Sequence, residues 1–100
     1  MSIASIMSFK FASCSPETSV QEVAKMMWDK DVRSVVVERG DEPFGMITDS
    51  DVLECCASKK MEGTVGDIME KPVARVPYDS DLSYPIDLMI ARNIRHVVVV

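Results

Sequence analysis

The stretch "MMWDKDVRSVVVE", Met26–Glu38, returns 62 residues later as "LMIARNIRHVVVV", Leu88–Val100. Both copies start on apolar residues around Met27 or Met89, pass a charged turn, meet Arg33 or Arg95, and finish in a valine run. The first part has helical spacing and the last part is β-branched. Each copy therefore reads as a helix that delivers the chain into a strand. At the same offset Ile6-Met7 falls on Ile68-Met69 and Ala12 on Ala74, which makes eight identities in the 37 pairs from Ser2/Thr64 to Glu38/Val100. They cluster at equivalent structural positions, the mark of an internal repeat.

Outward from the valine runs, each copy follows the same order. A short extended piece, "KFASC" or "VARV", comes first. Ser19 with Glu22 three residues later fits a capping box, and Asp81 stands at the matching place. An amphipathic helix follows, with Val20, Val23, Ala24 and Met27 inward in copy one and Leu82, Ile86, Met89 and Ile90 in copy two. Pro85 falls in the second helix's first turn, where a missing N–H costs least. The methionines read as adaptable core filler. The nearly continuous valine runs suit strands covered on both faces. In copy one "RGDEP" then reads as a turn, "FGMI" as a second strand and residues 50–58 as a second helix, while "SKKMEG" hinges into copy two. The unit is strand–helix–strand–strand–helix and the fold class α+β, with copy one at 1–60 and copy two at 61–100. Copy two reaches Val100 before its own second strand, polar turn and helix, so it is expected to be incomplete.

One hundred residues amount to one small domain, and 47% apolar with 27% charged residues is a globular composition. The formal charge of −5, with no basic run longer than Lys59-Lys60, excludes a counterion-releasing grip on nucleic acid. No apolar run reaches the roughly 18 to 20 residues of a membrane span. The opening "MSIASIMSFKFASC" lacks a basic leader and is interrupted by serines and Lys10, so no export signal is expected. Cys14, Cys55 and Cys56 form no CxxC pair and only one His is present, which points to a reducing cytoplasm without a structural zinc site. Cys55 and Cys56 fall inside a helix with no nearby His in sequence, which argues against reactive thiols and against an enzyme.

Three stretches, "GMITDSDVL", "TVGDIMEKPVARV" and "LMIARNIRHVVVV", together with "VAKMMWDKDVRSVVVE" of copy one, give the chain its resemblance to the cystathionine-β-synthase (CBS) domain, which normally occurs as a tandem pair. The resemblance covers nearly the whole chain. It implies a pseudo-twofold pair packed through its sheets, whose clefts bind AMP, ADP, ATP or S-adenosylmethionine. It also implies a homodimer of such modules and a regulatory, metabolite-sensing role toward a protein partner, with no other cofactor.

In the family a G-h-h-T/S-x-x-D turn contacts the ligand's sugar and phosphate, and Gly45 to Asp51 match it. A carboxylate such as Asp51 can accept from both ribose hydroxyls, and the Thr48 hydroxyl can donate to a phosphate. The following helix would aim free N–H groups at the same spot, with Ser50 on the turn. Taken alone the stretch is an N-cap, in which Thr48 or Ser50 satisfies orphan amides. Set in the repeat, it is a ligand contact. The resemblance draws the base-binding side from copy two: Thr64, Met69, Ile94 and the backbone around Arg95, with Ile94 and Met69 flanking a purine. These apolar residues have core packing as their alternative role. Arg33 takes the place of a phosphate-binding cation or is a surface charge, and His96 is the weaker candidate beside Arg95. A second cleft would draw on Ser2, Met7, Val32 and Arg33, together with a turn that these 100 residues lack. The expected function is a non-catalytic adenosine-nucleotide sensor. The alternative is a ligand-independent dimerisation or docking scaffold, for which Trp28 is the exposed apolar residue.

Overall fold

A computed structural model describes residues 1–5, 7, 11–69 and 73–100. Ile6 and Lys10, used above in the repeat and in the first extended piece, lie outside the described residues. The chain divides into two compact units, Lys10–Pro72 and Met1–Phe9 with Val73–Val100. No helix among the described residues is long and apolar enough to cross a membrane.

The unit Lys10–Pro72 contains β1 (Ser13–Cys14), α1 (Val20–Lys30), β2 (Ser34–Arg39), β3 (Glu42–Thr48), α2 (Asp49–Ala57) and α3 (Val65–Ile68). Its sheet has the order β1-β2-β3, with β1 parallel and β3 antiparallel to β2. The parallel pair is joined through α1, the crossover that a β-helix-β connection requires. Val23, Val35, Val37, Ile47 and Val65 are fully buried in a core with Ala12, Met27 and Met69. Each fully buried Val or Ile contributes about 1.5–3 kcal/mol. The valine run expected to be covered on both faces alternates instead: Val35 and Val37 are buried, while Ser34 and Val36 are half-buried. Glu42 and Pro43, expected in a turn, lie in β3, because the hairpin closes on only Gly40 and Asp41 between the paired Arg39 and Glu42. Gly40 adopts φ 64°, the left-handed value such tight turns need.

Ser19 caps α1 by accepting from the Glu22 N–H at 3.0 Å, and its own hydroxyl donates to the Glu22 carboxylate. The reciprocal half thus uses the Ser19 hydroxyl as donor where the sequence pattern anticipates its N–H. α2 starts at Asp49, one residue before the expected position.

The second unit holds a 3-10 turn (Ile3–Ser5), β4 (Arg75–Val76), α4 (Ser83–Arg92) and β5 (Val98–Val99), with β4 parallel to β5. Ile3, Ala74, Val76 and Pro85 are its buried residues among those described. Ile86 and Ile90, expected to face inward, are exposed, Ile90 at 75%. At the 62-residue offset Ile90 falls on Trp28, itself 86% exposed on α1, so this helix position faces outward in both repeats.

The 62-residue offset holds bond for bond. Val36 donates to the Ala12 carbonyl at 3.0 Å and Val98 to Ala74 at 2.8 Å. Val32 donates to Met27, and Ile94 to Met89. Asp31 and Asn93 close the two helices in the left-handed region at φ 53° and 52°, where Asn and Asp are the least penalised non-glycine residues. At the other end of each helix the correspondence is crossed. Thr64 pairs with Ser19 and Ser2 with Asp81, so the segment leading each repeat is bonded to the helix start of the other. Val65 donates to Thr18 and Ile3 to Ser80, while Val20 donates to Gly63 and Leu82 to Met1.

These crossed contacts set two expectations. Gly66, in α3, donates its N–H to the Pro16 carbonyl, and a Cβ there would lie 3.0 Å from that oxygen and 3.2 Å from Pro16 Cβ. An alanine in a helix normally gains up to about 1 kcal/mol over glycine. Gly66→Ala is expected to reverse that sign and cost about 1–3 kcal/mol. Gly63→Ala, whose Cβ meets nothing closer than 3.7 Å, is expected to be nearly neutral. Urea unfolding of both variants measures the contrast. Asp81 accepts from the Ser83 hydroxyl (2.7 Å), the Ser83 N–H (3.0 Å) and the amino terminus (3.4 Å). These contacts hold its carboxyl down from 3.8 to about 2. A depressed folded value means the stabilisation is complete above the unfolded value and drains as pH falls through about 2. Thermal unfolding followed from pH 5 to about 2 is expected to fall less steeply for Asp81→Asn than for the parent chain.

Candidate functional site

At the junction of β3 and α2, hairpin register and helix capping bring four of the predicted site residues together. Ser34 pairs with Thr48, and the Arg33 carbonyl accepts the Asp49 N–H at 2.8 Å, which sets Arg33 against the turn. Thr48 is the N-cap of α2. Its Oγ1 accepts from the Asp51 N–H at 3.3 Å, while Asp51 Oδ2 accepts from the Thr48 N–H at 2.9 Å and from its hydroxyl at 3.0 Å. Asp49 Oδ1 accepts from the Ser50 N–H at 2.9 Å.

The first four N–H groups of an α-helix have no partner in its own ladder. Here Thr48, Asp49, Ser50 and Asp51 all have theirs engaged within the protein. The free N–H groups expected at this helix start are therefore occupied, and the Thr48 hydroxyl is given to Asp51. Asp51 is half-buried and keeps Oδ1 without a donor among the described residues. Arg33, Asp49 and Ser50 are exposed. Among the described residues neither the Arg33 guanidinium nor the Ser50 hydroxyl has a bonded partner.

Thr64 and Met69 flank α3 in the same compact unit. Thr64 donates its N–H and hydroxyl to Asp67 Oδ2 at 3.3 and 3.1 Å, a second T-x-x-D box legible as "TVGD" but not anticipated. Met69 is 8% exposed and packs in the core, the role given above as its alternative. Ile94 and Arg95 belong to the other compact unit. There Ile94 is half-buried, with its N–H on Met89, and Arg95 and His96 are exposed. Of the thiols, Cys14 is half-buried, and burial pushes it up against the pull of its bond with Thr18, with the Glu38 charge adding to the rise. Cys55 is buried and Cys56 exposed, and all three are free.

Comparison with known proteins gives the following likenesses. The CBS domain family matches residues 3–58 and 65–100. An uncharacterized protein of Methanopyrus kandleri is 33% identical over 90 residues, covering 86% of this chain and 46% of that one. The chain spans about half the length of the curated relatives it matches. The CBS domain protein PAE2072 from Pyrobaculum aerophilum, complexed with AMP, superposes with a TM-score of 0.85 at 23% identity, over 100% of this chain and 79% of that one. The CBS domain pair of protein MJ0100, in complex with 5′-methylthioadenosine and S-adenosyl-L-methionine, gives 0.86 at 23% identity, over 100% and 80%. At that identity these two structures speak to the fold, which is the α+β fold of a CBS pair.

Proposed function

The chain belongs to the CBS domain family, and on that premise we propose that it is a non-catalytic regulatory module whose ligand is an adenosine compound held at the Thr48–Asp51 turn. The observation that carries the reading is the state of Asp51. Two bonds from Thr48 fix its Oδ2, which leaves Oδ1 as an oriented acceptor. An acceptor held in place by its neighbours is suited to a ribose hydroxyl, since it loses little freedom on binding. Relatives of the same fold are complexed with AMP in one case and with 5′-methylthioadenosine and S-adenosylmethionine in another, which supports adenosine as the common moiety. Thr64 and Met69 of the same unit are the further contacts we assign to this ligand, and Arg33 is the cation. Any signalling by such a module requires that its two states bind the ligand unequally.

Calorimetry with AMP, ADP, ATP and S-adenosylmethionine tests the proposal. At least one is expected to bind, and Asp51→Ala is expected to weaken it at least about tenfold, or about 1.4 kcal/mol. Thr48→Val, which breaks the cap but keeps the carboxylate, is expected to weaken it less. Unchanged affinity in Asp51→Ala would leave the turn as a helix cap alone.

A second reading, a docking or dimerisation scaffold, is favoured by Trp28 on α1 and Leu53 on α2, which are 86% and 70% exposed. It predicts an assembly that Trp28→Ser disrupts and that is unchanged by nucleotide, as measured by sedimentation velocity.

A further inference from the structure

We draw no further inference here: the strongest candidate, the apolar surface patch that Trp28 on α1 and Leu53 on α2 expose on the Lys10–Pro72 unit, carries nothing because nothing in the structure shows what covers it.

Discussion

The amides at the head of α2 must find acceptors outside their own helix, and the chain's way of supplying them governs the turn. One acceptor, the Arg33 carbonyl, is not local in sequence. It reaches the Asp49 N–H because β2 and β3 pair in the register that sets Ser34 opposite Thr48. That register is held by the burial of Val35 and Val37 on β2 and Ile47 on β3. A slip of either strand by one residue would turn that strand's inward residues outward. Core packing thus reaches the site through a strand register and a single 2.8 Å bond, and the side chains of Thr48 and Asp51 complete the cap. The Asp51 carboxylate, whose Oδ1 has no donor among the described residues, is fixed by the same bonds that close the helix.

The repeat adds a second level of order. Sixty-two residues separate not only similar amino acids but equivalent hydrogen bonds, equivalent left-handed helix ends and equivalent parallel strand pairings. The compact units nonetheless cut across the repeats, since each leading segment is bonded beside the other repeat's helix cap. Gly66 and Pro16 show how close that contact is, with the glycine N–H on the proline carbonyl and no room for a side chain between them.

Much of this was legible from the residues because it is local. The helix starts at Ser19 and Thr48, the valine strands, the tight turn at Gly40 and the T-x-x-D pattern are written in adjacent side chains. Other features depend on what lies across space. Ile86 and Ile90 fit an apolar helical spacing, yet Ile90 falls at the place of the exposed Trp28, and periodicity alone does not say which face of α4 is covered. The 3-10 turn and the four-residue α3 are too short for any period to register. At the turn, sequence chemistry offered both a cap and a ligand contact. The structure makes the cap complete, down to the Asp49 amide held by the Arg33 carbonyl, 16 residues earlier, which no reading of "TDSD" alone contains.

The crossed pairing also carries a consequence for how the molecule is made. Ser2 binds the Tyr78 carbonyl and Met1 reaches Asp81, contacts spanning 76 and 80 residues. During synthesis Met1 and Ser2 therefore gain these partners only after a further 76 to 80 residues have been made. At roughly 5–20 residues per second that is a wait of several seconds. Lys10–Pro72 contains its own sheet and core and needs no such patience. Closing a loop of that span costs more chain entropy than the local turns that join β2 to β3 and β3 to α2.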